Sequence, residues 1–243
     1  MKCLILAAGY ATRLYPLTEN FPKPLLEVKG KTIIDWLTDD IEASGTVEEY
    51  IVVSNHKFAL LFEEWAKSKK CKITVLDDGT ISNDTRLGAV MDIKFAIDKL
   101  SIDDDLLVIA GDNLLNFSLA RFIEYAQQHN SSCVMRYFEG DSRRLSKSGV
   151  LVINESERVL CMQEKPAIPS SNWCCPPFYY YARDDISLVG TAISEGCAVD
   201  APGSYISWLC NKRNVYAMLM PGERYDIGTL ENYNKIKKDY NGF

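Results

Sequence analysis

The chain opens on an apolar run, Cys3–Ala8, that stops at a small, glycine-containing turn, Ala8-Gly9-Tyr10-Ala11-Thr12, with Arg13 at its far edge. A short apolar run bounded by a turn reads as a buried parallel strand. Similar runs recur along the first half, separated by amphipathic stretches. Strands are expected at Tyr50–Ser54, Cys71–Leu76, Leu106–Ala110 and Cys133–Phe138, and helices at Ile33–Ser44, Phe58–Lys69, Leu87–Leu100 and Ser118–Gln128. This βαβα rhythm implies an α/β fold: a Rossmann-like, mostly parallel sheet flanked by helices. Ligands of such folds bind beyond the carboxyl ends of the strands. The Gly9 loop and the Gly111-Asp112-Asn113 turn both fall there, so they are expected to share one crevice.

The second half is richer in strands, at Gly149–Ile153, Val159–Gln163, Phe178–Ala182 and Val215–Met220, with helices at Asp184–Glu195 and Gly203–Cys210. A last helix, Glu231–Tyr240, is expected to start from Thr229 as its N-cap. Pro166–Pro177, with four prolines, reads as an irregular loop.

The opening segment also carries chemistry. A strand feeding a small-residue loop lets backbone N–H groups approach a phosphate closely. Arg13 adds a bidentate phosphate donor, and Lys23, set between Pro22 and Pro24, adds a point charge. The segment is not a P-loop: Gly30-Lys31-Thr32 resembles the end of one, but the first glycine of that motif would fall at Leu25. It is not a dinucleotide fingerprint either, because position 11 is Ala and no third glycine follows.

Leu6-Ala7-Ala8-Gly9-x-x-Thr12-Arg13-Leu14, followed by Pro22-Lys23-Pro24-Leu25, resembles the signature of the sugar-nucleotidyltransferase family, which makes NDP-sugars from a nucleoside triphosphate and a sugar 1-phosphate. The resemblance runs from Met1 to about Tyr233 and implies roles for individual residues. The backbone of Leu6, Ala7, Ala8 and Gly9, with Thr12, contacts the nucleotide. Arg13 grips the outgoing pyrophosphate and Lys23 neutralises the α-phosphate. Asp112, at the end of the apolar Leu106–Ala110 run, and Asp226, in Asp226-Ile227-Gly228-Thr229, hold Mg²⁺, a cation that prefers hard oxygen ligands. Gly149, Glu164 and Lys165 meet the acceptor. Asn83, Thr85 and Gly88 lie in the loop that reads the base, and Leu87-Gly88 matches the family there. The residues before that pair do not match the subgroup with a glutamine base reader, which leaves the base open. Tyr10 and Ala11, where many relatives carry small residues and glycine, are expected to add bulk beside the phosphates.

One domain over 1–243 follows, with a nucleotide-binding half at about 1–140, a small strand-rich acceptor-binding half at about 141–243, and no room for the C-terminal left-handed β-helix of some relatives. Three readings remain open. A sugar 1-phosphate acceptor is favoured by Gly149, Glu164 and Lys165. A cytidylyltransferase acting on a small phospho-acceptor, such as an amino-alcohol phosphate or a phosphonate, is the alternative. A catalytically silent nucleotide-sensing subunit is disfavoured by the presence of Arg13, Lys23, Asp112, Lys165 and Asp226 together.

Composition narrows the rest. A net charge of −6 argues against broad nucleic-acid binding, so a polyphosphate must be held by a few local cations and a metal. The eight cysteines contain no Cys-x-x-Cys pair and read as reduced thiols, and two histidines give poor support to a zinc site or a Ser-His-Asp triad. No apolar run approaches the length of a membrane helix. A cytoplasmic enzyme without membrane contact is expected. The family is often oligomeric, yet no interface is legible in these residues.

Overall fold

The structure is a computed structural model that describes residues 1–242. They cluster into two compact units.

The first unit comprises Met1–Arg86, Ala110–Ala120 and the chain from Pro221 on. Its centre is three parallel strands, Lys2–Leu6, Glu49–Ser54 and Ile73–Asp77, with Lys2 opposite Glu49 and Tyr50 opposite Ile73. Parallel neighbours cannot be joined by a tight turn, so each connection is a crossover carrying a helix. Those helices are Ile33–Ala43 and Ala59–Lys67. The first begins where the Thr32 hydroxyl accepts the Asp35 amide at 3.2 Å. It buries Ile34, Leu37 and Ile41, and the second buries Phe62 and Trp65. The middle strand is buried at every position, as a strand covered on both faces must be.

Two short antiparallel pairs complete this unit: Glu27–Val28 with Lys31–Thr32, and Asn113–Leu115 with Arg224–Asp226. The closing helix, Leu230–Asp239, starts at Thr229, whose hydroxyl accepts the Asn232 amide at 3.2 Å. Two tyrosine hydroxyls tie this end of the chain down. Tyr233 donates to the Glu27 carbonyl at 2.8 Å and Tyr240 to the Leu115 carbonyl at 2.6 Å.

The second unit comprises Leu87–Ile109 and Arg121–Met220. Phe178–Tyr181 lies antiparallel between Leu106–Ala110 and Ser132–Phe138. Trp173–Cys175 bridges Ser132–Phe138 and Gly149–Ile153, and Val159–Glu164 pairs with Gly149–Ile153, all antiparallel. Val215–Leu219 runs parallel to Ser132–Phe138. The α/β, Rossmann-like architecture implied by the alternating pattern is therefore present, with a parallel three-stranded centre in the first unit and mixed pairing in the sheet of the second. No left-handed β-helix occurs among the described residues, and none of their helices is long and apolar enough to cross a membrane.

Three local expectations change. The proline-rich loop contains the strand Trp173–Cys175, because Pro176 and Pro177 follow it and leave its ladder amides intact. The helix expected over Asp184–Glu195 is two short ones, Arg183–Ile186 and Val189–Ser194, parted where the Ser187 hydroxyl turns back to the Asp184 carbonyl at 2.8 Å. Asn113–Leu115 and Arg224–Asp226 are strands of three residues each, too short to show a period.

Glu49 locks the three parallel strands at one end. Its buried carboxylate accepts from Lys2 Nζ at 2.6 Å, Thr74 Oγ1 at 2.8 Å and Lys72 Nζ at 3.2 Å. Burial alone would raise its pKa, but these three donors win and bring it from 4.5 to about 2. A carboxyl depressed by folding stabilises the protein above its unfolded value, and that contribution fades as pH falls through the folded one. Glu49→Gln is expected to cost about 1–3 kcal/mol at pH 7. In urea titrations the gap between variant and parent should close as pH falls from 4.5 toward about 2.

Candidate active site

Lys23 opens a single 3₁₀ turn, Lys23–Leu25, entered from extended Pro22. Pro24, at the second position of the turn, has no amide to lose there and stiffens it. The turn presses the lysine inward until only 5% of the residue is exposed. Its ammonium donates to Asp112 Oδ2 at 2.7 Å and faces Asp226 Oδ1 at 3.4 Å, partners 89 and 203 residues further along the chain. A buried ammonium without such partners would carry a penalty of several kcal/mol, so this contact is a strong constraint on the unit.

Each carboxylate has its own support. Asp112 follows Gly111, whose amide donates to the Leu6 carbonyl at 3.1 Å. A Cβ on Gly111 would sit 2.8 Å from Ile5 Cγ2, so only glycine lets the chain pass this close to the opening strand. Asp226 ends its short strand directly opposite Asn113. Asp112 immediately precedes Asn113, so the two carboxylates emerge at the same end of one small ladder. Burial opposes the charge on Asp112, but the Lys23 ammonium and its hydrogen bond, with Arg224 nearby, hold the carboxyl below its usual range.

Arg13 lies exposed in the turn Thr12–Leu14, which Ala11 enters in the left-handed region at φ 47°. The Ala11 carbonyl accepts from the Thr18 hydroxyl at 2.8 Å and from the Leu14 amide at 2.9 Å, which stabilises that conformation. A Cβ on Gly228 would meet Arg13 Nη1 at 3.9 Å and Asp226 Oδ2 at 3.8 Å, so the guanidinium reaches the turn after Asp226. Arg13, Lys23, Asp112 and Asp226 thus lie close together in the first unit.

The Leu6–Gly9 backbone is clamped from behind. Asn55, fully buried, donates to the Ala8 carbonyl at 2.9 Å, and the Ala7 amide donates to the Val53 carbonyl at 2.9 Å. Gly9 itself is exposed, and apart from its chain neighbours no protein atom lies within 4 Å of the place its Cβ would take. Tyr10, expected to add bulk beside the phosphates, packs into the interior. It is buried, its hydroxyl donates to the Thr80 carbonyl at 3.0 Å, and its ring faces Phe58 with centroids 6.3 Å apart. Asn83 and Thr85 are exposed in a 3₁₀ turn of the first unit, where the Thr85 hydroxyl already bonds the Ser82 carbonyl at 3.2 Å. Gly88 belongs to the second unit. Its φ of +94°, and a Cβ position 2.5 Å from the Val199 carbonyl oxygen, give it a packing role of its own.

Gly149, Glu164 and Lys165 come together in the second unit, with Gly149 directly opposite Glu164 in the ladder. The Lys165 amide donates to the Ser148 carbonyl at 3.0 Å, and the residue is left-handed at φ 47° with an exposed side chain. Burial raises the pKa of Glu164; Lys165 opposes the shift and Asp200 adds to it. Gly203, overlooked in the sequence, closes the same spot: a Cβ there would strike Met162 Cε and Glu164 Oε2. Nothing in the residues around Gly203 announces that role, because the approach is made across the fold.

The family model described as Nucleotidyl transferase matches residues 2–242. The chain belongs to the nucleotidyl transferase family. It is therefore a nucleotidyltransferase, and its family binds nucleoside triphosphates and sugar phosphates. It is 26% identical to the UTP–glucose-1-phosphate uridylyltransferase AglF of Haloferax volcanii, over 98% of this chain and 96% of that protein. It is 29% identical to mannose-1-phosphate guanylyltransferase 1 of Arabidopsis thaliana, over 96% of this chain, and spans 63% of that relative. Against the bifunctional protein GlmU of Methanocaldococcus jannaschii it is 29% identical and spans 51% of that relative. Among solved structures, UDP-glucose pyrophosphorylase complexed with UDP-glucose superposes with a TM-score of 0.82 at 22% identity, covering 98% of this chain and 97% of that one, which establishes a shared fold. None of these four is named for an amino-alcohol phosphate or a phosphonate acceptor.

For this nucleotidyltransferase, Gly111→Ala is expected to be costly twice. Forcing a methyl against Ile5 should destabilise the fold by about 1–3 kcal/mol, read as a lower thermal midpoint. Because the displaced residue is the neighbour of Asp112, turnover at saturating substrate should fall more than the midpoint shift explains.

Proposed function

We propose that this enzyme joins a nucleoside triphosphate to a sugar 1-phosphate, giving an NDP-sugar and pyrophosphate. The observation that carries the reading is the Lys23 ammonium set against Asp112 and Asp226 at 2.7 and 3.4 Å. A phosphate oxygen of the acceptor attacks the α-phosphorus in line. One P–O bond forms as the bond from the α-phosphorus to the bridging oxygen breaks, and pyrophosphate leaves with that electron pair. The acceptor is already an anion, so no general base is needed. Charge grows on the nonbridging α-oxygens, where Lys23 neutralises it, and on the leaving group, where Arg13 neutralises it. Fixed cations at those points stabilise the transition state more than the ground state.

Mg²⁺ suits the two carboxylates. Both are hard oxygen donors turned toward one cationic centre, and no third Asp, Glu, His or Cys joins them among the described residues. Mg²⁺ is commonly bound by one or two carboxylates and completed by phosphate and water. When bound, it would supply further charge neutralisation at the phosphates. On the acceptor side, Lys165 takes the sugar phosphate and Glu164 accepts from sugar hydroxyls, with Gly149 letting Met162 and the Glu164 carboxylate pack close against the backbone. The names of the relatives support a sugar 1-phosphate over the small phospho-acceptor. A cytoplasmic setting agrees with eight free cysteines.

Pyrophosphate release with each nucleoside triphosphate, against glucose, mannose and N-acetylglucosamine 1-phosphates and against phosphocholine, tests the assignment. Turnover with at least one sugar 1-phosphate is expected, abolished by EDTA and restored by Mg²⁺. Turnover with phosphocholine alone would refute the sugar assignment. Lys23→Ala should lower kcat by about a hundredfold or more; a variant that keeps most of its turnover would remove Lys23 from the chemistry.

A further inference from the structure

Asn113 is 1% exposed and reaches three partners. Its Nδ2 donates to Asp112 Oδ1 at 2.9 Å and to the Ala110 carbonyl at 3.3 Å, while its Oδ1 accepts from Arg224 Nη1 at 2.7 Å. The orientation of this amide is dictated by its neighbours. A guanidinium can only donate and an ionised carboxylate can only accept, so the oxygen must face Arg224 and the nitrogen must face Asp112. Flipping the amide would break both contacts at once.

The two oxygens of Asp112 are thereby given different tasks. Oδ1 is taken by Asn113, and Oδ2 faces the Lys23 ammonium. Arg224 lies two residues before Asp226 on the strand that pairs with Asn113–Leu115. The same guanidinium therefore connects the strand carrying Asp226 to the amide that holds Asp112. We infer that Asn113 and Arg224 are positioning residues, an arginine–amide–carboxylate relay that commits one oxygen of Asp112 and leaves the other aimed at the phosphate-binding cation. This rests on the reading of Asp112 as a metal-holding carboxylate. The relay acts on metal affinity and turnover and leaves nucleotide contacts alone, because neither side chain belongs to the Gly9 loop, to Arg13 or to the base-reading turn.

Mn²⁺ in the presence of UTP or GTP, without acceptor, is the probe; enhanced water proton relaxation reports the protein-bound ion. Arg224→Met and Asn113→Asp are expected to weaken Mn²⁺ binding about 10- to 100-fold, the usual effect of removing a partner behind a metal ligand. kcat should fall in parallel while KM for the nucleotide stays within about threefold. Asn113→Asp keeps the shape and the bond to Arg224 but turns the donor into an acceptor. Arg224→Lys, which keeps a donor, should recover part of the loss. Arg224 is only half-buried, so Arg224→Met tests the relay even if the core substitution at Asn113 prevents folding. The relay is overturned if Arg224→Met binds Mn²⁺ like the parent, or loses only thermal stability, while Asp112→Asn loses the ion. If Asp112→Asn also binds Mn²⁺ like the parent, the metal-holding role of Asp112 falls, and the relay with it.

Discussion

A single ammonium, that of Lys23, holds the candidate site together. It is nearly shut off from solvent, and a cation in that position has to find anions. The nearest come from two segments remote in the chain, one after the strand that ends at Ala110 and one before the closing helix. The interaction imposes order in both directions. Without the carboxylates the lysine would be an uncompensated buried charge, and without the lysine two carboxylates would face each other across a few ångströms.

The scaffold makes that contact repeatable. Glycine at position 111 lets the chain lie against the Lys2–Leu6 strand, which sets where Asp112 emerges. The rungs between Asn113–Leu115 and Arg224–Asp226 set where Asp226 emerges relative to it. The tyrosine hydroxyls at 233 and 240 bind the closing helix to the hairpin after Lys23 and to the strand after Asp112. Hydrogen bonds of this kind contribute about 1 kcal/mol each. Their value here is geometric, because they join all three segments that feed the site. Glu49, at the opposite end of the same parallel strands, does comparable work by binding donors from two neighbouring strands and from Lys72.

Legibility in the sequence followed length and period. The long apolar strands and the amphipathic helices were readable because each holds one period across many residues. The charged residues of the first unit were readable because they sit in a contiguous motif or beside glycine in a turn. Asn113 was visible only as the third letter of Gly-Asp-Asn, and Arg224 gave no signal, because a hydrogen bond across 111 residues leaves no local pattern. Gly203 was missed for the same reason. The inward packing of Tyr10 was not legible because residue size says nothing about direction: its ring turns toward Phe58 and its hydroxyl toward the Thr80 carbonyl.

Local order and chemical inventory were settled by the chain itself. Alternating strand and helix periods dictate an α/β fold, and the Gly9 loop, Arg13, Lys23 and the two turn aspartates supply the charges a polyphosphate demands. Tertiary structure alone decided which of those charges meet. It turned Lys23 inward, put Asp226 on the rung beside Asn113, and oriented the Asn113 amide between a donor and an acceptor. Sequence carries propensity over a few residues at a time, whereas electrostatic partnership depends on distances that exist only once the strands have paired.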